Sequence, residues 1–487
     1  MSIKNYTIIS FWNSKKMFFS GVAGLICVFF IFKCVSENRF PSKNNIPDFS
    51  PASVITQYHE LYTEIESQDI FISPVISTRF LMTLNLTIRD VFKAHSVQID
   101  LNPEPVENQN TISRYKNSDT LLLSYMLNKA ISENLHSIFD ERVINGKQII
   151  NKKYGFLESA ILKQMSDVHF DFSILNEKVK HISDSIAQKY LPKEYIKYPD
   201  LKHRDTIHNI FYSKYGNVSN KWVHSLLKYE SILGDLGLQN VPDLDISMYT
   251  PLNDKIIYQE ALEIYNLSKP LQYKFKWIAE FWSDDYPGVT YSPATRWISI
   301  LNQILKKESG SFQEVQNIYF LMSLVLHETA VSCWNIKYNT LQVRPSVIIQ
   351  TKIDPIWKPF HDNPPFPAYP SGHSAFGAAA SSVLEYFFGR TYTFTDNSHK
   401  GVKAFLSEPR SFSSFREMAE ENALSRLYLG VHFRKDCEDG LHLGNKIAQN
   451  ILKNIVSETS LNTDSRLKLT ESKDESILLE AMFSGQN

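Results

Sequence analysis

The sequence predicts an all-α protein, and three observations carry that expectation. Apolar residues recur at three- and four-residue intervals over 121–135, 156–165, 174–190, 260–281 and 315–336. Strand signals between these stretches are few, and 17 glycines in 487 residues are sparse for a sheet-and-turn protein. A small-residue run, HSAFGAAASSVLEYFFG, begins at His373 after a proline-rich loop and closes on Gly389, the pattern of a capped helix. The chain is long enough for one large core or two ordinary ones.

In chain order, residues 1–16 form a short segment ending in Lys15 and Lys16. Residues 17–33 (MFFSGVAGLICVFFIFK) read as a membrane anchor or signal segment, with flanking lysines able to snorkel. Basic residues before the run predict an inside N-terminus, hence an anchored or exported body with its catalytic domain on the non-cytoplasmic side. No small-x-small cleavage site follows, and neither Cys27 nor Cys34 has a small residue before it for lipoprotein processing. Residues 34–52, broken by Pro41, Pro47 and Pro51, read as a linker. Residues 53–456 form the helical catalytic domain, with its core motifs in 334–444, and 457–487 are a polar tail. Within the domain, 315–336 holds Gln316, Asn317, His327 and Glu328, which makes it a buried helix and not a span.

The balance of 51 basic against 52 acidic side chains gives a net charge of −1, which points away from nucleic acid as a partner. Four cysteines are too few for a disulfide scaffold. Cys333 and Cys437 could be brought together by folding; two unpaired buried thiols are the simpler reading.

Chemistry concentrates in three short segments. Lys337 and Arg344 are seven residues apart, two turns if the helix continues, with Pro345 ending the run. Six prolines between 355 and 370 then deliver Ser371 and Gly372 to a helix start, where unpaired amides bind anions and glycine permits close approach. His373 follows in the first turn. The third segment is Ser425, Arg426, His432 and Asp436. A His and an Asp four apart share a helical face, so Asp436 can hold one ring nitrogen of His432 and leave the other free. Each segment alone has an ordinary structural explanation: a solvated face, a capped helix, a surface hydrogen bond. Together they supply three cations, a donor-rich turn and two imidazoles, which suits a tetrahedral oxyanion better than a metal cation.

The order Lys-x6-Arg-Pro, Pro-Ser-Gly-His, Ser-Arg-x5-His-x3-Asp resembles, at all eleven fixed positions, the motif set of the vanadium-dependent haloperoxidase and type 2 phosphatidic acid phosphatase superfamily. That superfamily includes bacterial non-specific acid phosphatases. The resemblance covers about residues 334–444 and extends more loosely to 278–285 (IAEFWSDD), which is similar to the bacterial haloperoxidase-like branch. It implies helical bundles around one anion site. It implies that Lys337, Arg344, Ser371, Gly372, His373 and Arg426 bind vanadate or phosphate. His432 would bond vanadium or attack phosphorus, Asp436 would fix its tautomer, and His373 would act as general acid and base.

Two aromatics tilt the choice of reaction. Trp334 lies one turn before Lys337, and Phe366 lies five residues before Ser371. Fungal chloroperoxidases of the family look similar at both places, where the pair borders the halide side of vanadate; otherwise both aromatics simply pack the bundle. The expected function is therefore halide oxidation by hydrogen peroxide through a peroxovanadate held by His432, with Lys337 polarising the peroxide. The alternative is an acid phosphatase that cleaves phosphomonoesters or lipid phosphates through a phosphohistidine and needs no cofactor. A non-catalytic phosphate-ligand binder is the remote third reading, disfavoured by the intact acid–base pair. His327-Glu328 lacks the second histidine of a zinc-protease helix. His361, His399 and His442 receive no role, and Trp282 and Tyr286 are candidates for the cavity entrance.

Overall fold

The computed structural model describes residues 49–458 apart from 70–72, 101–108, 141, 166–171, 192–230, 237, 239–240, 242–244, 285, 287, 309 and 405. The expected anchor at 17–33, the segment before it and most of the polar tail lie outside the described residues. Among the described residues, no helix is long and apolar enough to cross a membrane.

The architecture is helical throughout, apart from one antiparallel hairpin of β1 (Phe394–Asp396) and β2 (Arg410–Phe412). Five helices come first: α1 (Pro51–Glu66), α2 (Pro74–Asp100), α3 (Gln109–Phe139), α4 (Gly146–Gln164) and α5 (Phe172–Tyr190). Then follow α6 (Asp254–Leu267), α7 (Tyr273–Phe281), α8 (Pro293–Lys307), α9 (Phe312–Thr340), α10 (Pro345–Lys352), α11 (Gly372–Phe388), α12 (Phe415–Leu429) and α13 (Arg434–Glu458).

Local chemistry sets the helix starts. Ser50, Ser292, Ser311, Ser371 and Ser414 each accept a first-turn amide, and Ser311 with Glu314 completes a capping box. Pro51 opens α1 at a position where a missing N–H costs nothing. The periodic stretch 260–281 is likewise two helices, α6 and α7, separated by Lys269-Pro270.

The buried α9 is the spine, packing α1 and α2 on one side and α11 and α13 on the other. One apolar core accordingly runs continuously from Ala52 to Ile451. The closest helix crossing joins α11 and α13. A Cβ on Gly440 would meet the Ser371 carbonyl oxygen at 2.7 Å, and one on Gly444 would meet that of Ala375 at 2.0 Å. These two glycines, facing the small residues of α11, let the two backbones touch and bring His432 and Asp436 beside Ser371–His373.

Candidate active site

The first arm of the site is the last turn of α9. Trp334 and Lys337 project from it one turn apart, both buried. The Lys337 ammonium donates to the carbonyls of Pro367 and Ala368, each at 2.9 Å, and of Pro370. The helix does not continue to Arg344. It stops at Thr340 because Leu341 turns into the left-handed region (φ 52°), and Arg344 is instead the N-cap residue of α10. Pro345 therefore starts a helix where spacing alone has it end one, which its fixed φ and missing donor favour equally well. The corner still delivers Arg344 inward: it donates to the Phe366 carbonyl at 3.0 Å, to that of Val431 at 2.8 Å, and to His432 Nε2 at 2.9 Å.

The second and third arms interlock. Ser371 caps α11 through its hydroxyl, while its amide donates to the Asp436 carbonyl at 2.8 Å. His373 sits in the first turn of α11, and its Nε2 accepts from Arg426 at 3.0 Å. Arg426, in the last turn of α12, also donates to the Ser425 hydroxyl and the Trp282 carbonyl. Asp436 is in the first turn of α13, but His432 precedes that helix, so the pair does not share a helical face as expected. The loop folds back instead. Asp436 Oδ2 accepts from His432 Nδ1 at 3.1 Å and from the Phe433 amide at 3.0 Å. Those bonds place the ring proton on Nδ1 and leave the Nε2 lone pair to accept from Arg344.

Trp334, Phe366, Gly372, His373, Arg426 and His432 line one small cavity, together with Pro74, Pro293 and Pro364. About 10 Å³ is open to the centre of a water-sized sphere, room for roughly one water. Trp334 and Phe366 pack with centroids 5.0 Å apart, and a Cβ on Gly372 would meet the Trp334 ring at 3.1 Å. Lys337 and Arg344 each lie 5.3 Å from the Phe366 ring centre. Every expected site residue is thus within one cluster, with Arg344 and Lys337 one layer behind the cavity wall.

Electrostatics give the cluster its preference. Burial drives both His373 and His432 well below the ordinary imidazole range, and the Arg426 and Arg344 charges beside them push the same way, so both rings are neutral. Burial also lowers Lys337 to about 7 and raises Asp436. Three basic side chains around one cavity, with the Asp436 carboxylate already given to His432, make a donor set that fits a multiply charged oxyanion. Vanadate and phosphate both meet that requirement. Among the described residues no cluster of His, Cys, Asp or Glu could hold a metal cation.

Sequence reasoning missed two contributors. Gln342, from the corner after α9, donates to Asp436 Oδ1 at 2.6 Å. Asp284 is buried 3.9 Å from His373 Nε2, and it accepts from His399 at 2.8 Å and from Arg296 at 3.4 Å. Arg296 in turn pairs with Asp396 at 2.7 Å. The loosely matching stretch 278–285 contains Asp284, but nothing in its spacing ties it to His373. Trp282 does not line the entrance; it is buried behind Arg426, stacked on Trp297. Tyr286 is half exposed beside His361, away from the cavity wall. His442 bonds Tyr249, and His327 and Glu328 serve packing contacts with Arg79 and the Ile232 amide. Cys333 and Cys437 are buried free thiols.

A helical bundle closing three motif segments around an oxyanion cradle defines a class, and comparison with known proteins agrees with it. The model of the VCPO second helical-bundle domain matches residues 317–459. The vanadium chloroperoxidase of Curvularia inaequalis is 27% identical over 215 residues, a match covering 32% of this chain and 35% of that protein. The match thus spans about a third of that relative's length. In fold, the chain is similar to the first bacterial vanadium-dependent iodoperoxidase, at a TM-score of 0.58 and 20% identity, covering 85% of this chain and 98% of that one. An apo-type bacterial vanadium-dependent chloroperoxidase superposes at a TM-score of 0.50 and 13% identity, covering 81% and 96%. Together these likenesses support grouping the chain with the vanadium-dependent haloperoxidases, most directly over residues 317–459.

Proposed function

We propose that the protein is a vanadate-dependent haloperoxidase that oxidises halide with hydrogen peroxide. One observation supports the choice over its phosphatase relatives: an apolar pair, Trp334 and Phe366, lines the cavity directly beside Lys337 and Arg344. The two rings pack with centroids 5.0 Å apart, and three prolines line the same cavity. A poorly hydrated halide tolerates such an apolar surface better than a strongly hydrated ion does.

In this reading His432 Nε2 holds vanadate, and Asp436 keeps the opposite nitrogen protonated. Arg344, Arg426 and Lys337 neutralise the oxyanion, joined by the Gly372 amide and the Ser371 hydroxyl, which as a cap acceptor still has its proton to donate. Bound vanadate supplies activation of hydrogen peroxide towards halide without a change of its own oxidation state. His373, neutral beside Arg426, accepts the proton that incoming peroxide gives up and returns it to the departing oxygen. Trp334 and Phe366 exclude water from the halide's approach.

The same cradle would position a phosphoryl group for attack by His432 Nε2, so the test has two arms. Protein stripped of metal and reconstituted with orthovanadate is assayed for peroxide-dependent halide oxidation. Vanadate-free protein is assayed with a phosphomonoester. Peroxidase activity only in the first arm supports the proposal; phosphomonoester hydrolysis inhibited by vanadate replaces it with the phosphatase reading. Phosphate binding without turnover in either arm leaves a binding protein.

A further inference from the structure

Glu66, the last residue of α1, is fully buried, and no step above uses it. Its Oε1 accepts from the Ser292 amide at 2.8 Å. Its Oε2 accepts from the Ser77 hydroxyl at 2.8 Å and the Thr295 hydroxyl at 2.9 Å. Ser292 also donates to Ser77 at 2.8 Å, which closes the network. A carboxylate in such a place is expensive unless every lone pair is answered, and its geometry is then rigid.

What it holds is specific. Ser77 is in the first turn of α2, which opens with Pro74; Ser292 is the N-cap of α8, which opens with Pro293. These two prolines line the cavity. That part of its lining thus joins helices far apart in sequence, and Glu66 is the tie between their first turns. Since the cavity has room for roughly one water, a small change in proline separation decides what passes.

We propose that Glu66 is a positioning residue that fixes the width of the anion entrance, setting how fast oxyanions exchange and which halides enter. The halide part rests on the peroxidase reading; the exchange part needs only an oxyanion site.

The experiment is stopped-flow fluorescence of full-length protein mixed with orthovanadate, comparing wild type with Glu66→Ala, Thr295→Val and Glu66→Gln. A looser proline lining raises association and dissociation rates together, roughly threefold or more in Glu66→Ala and less in Thr295→Val, while Kd stays near wild type. Glu66→Gln, whose amide can still accept from Ser292 and meet the hydroxyls, restores slow exchange. The same variants shift the ratio of iodide to bromide kcat/KM through KM. Unchanged exchange rates in the folded variants overturn the proposal, and Thr295→Val decides alone if Glu66→Ala does not fold. Absence of halide turnover in wild type sinks the peroxidase reading instead, and the exchange rates still decide the role of Glu66.

Discussion

Asp436 Oδ2 stands 3.1 Å from His432 Nδ1 and reaches it from the opening turn of the helix that His432 precedes. The same oxygen accepts the Phe433 amide, and Gln342 holds the other oxygen at 2.6 Å. The carboxylate therefore fixes both the loop and the ring, and Nε2 is left as the acceptor, meeting Arg344 at 2.9 Å. In Asp436→Asn one oxygen becomes a donor, so either Gln342 meets an NH2 group or the ring and the Phe433 amide both lose their acceptor. We expect the Kd for orthovanadate to rise about 10- to 100-fold, the usual cost of losing a partner that orients a metal-binding histidine. Isothermal titration calorimetry measures it, and an affinity within error of wild type would show that His432 is not the anchoring ligand.

Lys337 predicts a pH dependence. Burial brings its ammonium down to about 7, so above that pH the ligand-free site holds a neutral amine. A bound oxyanion requires the charged form. Binding then takes up a proton, and affinity falls as pH rises above 7, by up to about tenfold per unit from this residue. Lys337→Met should bind more weakly at pH 6 and lose that slope. In the unfolded chain lysine titrates near 10.4, so between about 7 and 10 the unfolded state binds more protons and this residue makes the ligand-free protein more stable as pH rises. Calorimetry in buffers of different ionisation enthalpy reads the uptake directly; equal uptake by wild type and Lys337→Met at pH 8 contradicts the argument.

Much of this site is legible in the sequence, because the motif residues are fixed by chemistry and not by fold. Three cations, a Ser-Gly turn and a histidine held by Asp436 announce an oxyanion wherever they meet. What residue spacing does not convey is the local geometry that gathers them. Spacing puts Arg344 on a continuing helix, yet Leu341 ends α9 in a left-handed turn that no spacing rule for leucine anticipates. It gives His432 and Asp436 a shared helical face, although their contact comes from a loop folded onto a first turn. Asp284 and Gln342 stay invisible because a lone buried polar side chain has no pattern; its partners are distant in sequence. The helical class is readable from periodicity, while α1, α2 and α8 escape it where short apolar repeats start at prolines that normally signal breaks.

The α11–α13 crossing offers a test that separates folding from chemistry. Gly444 packs on the backbone of Ala375 so closely that a Cβ would lie 2.0 Å from a carbonyl oxygen and 2.9 Å from the Ala379 nitrogen. No side chain can move aside to relieve that clash. Gly444→Ala must push the helices apart at a cost of about 1–3 kcal/mol or more. His432 and Asp436 then retreat from Ser371 and His373. A lowered Tm together with loss of tight orthovanadate binding is the expected result. A wild-type Tm would mean that the two helices do not approach as closely as described.

Asp284 makes the last prediction, and its sign distinguishes positioning from binding. The carboxylate is buried 3.9 Å from His373 Nε2, on the side where His399 and Arg296 also meet it. Its negative charge stabilises an imidazolium on His373, which the proton transfers assigned to that ring require. Its removal also makes the cavity more positive. Asp284→Asn should therefore hold orthovanadate as tightly as wild type or tighter, while turnover falls by about 10- to 100-fold, part of the roughly 10²- to 10⁴-fold that a general acid–base group itself contributes. Arg296 keeps Asp396 at 2.7 Å as its partner, so the variant retains its fold. Weaker vanadate binding with unchanged kcat would reverse the assignment and make Asp284 a structural prop for Arg296. Parallel measurement of Kd by calorimetry and of kcat at saturating peroxide and halide decides between the two.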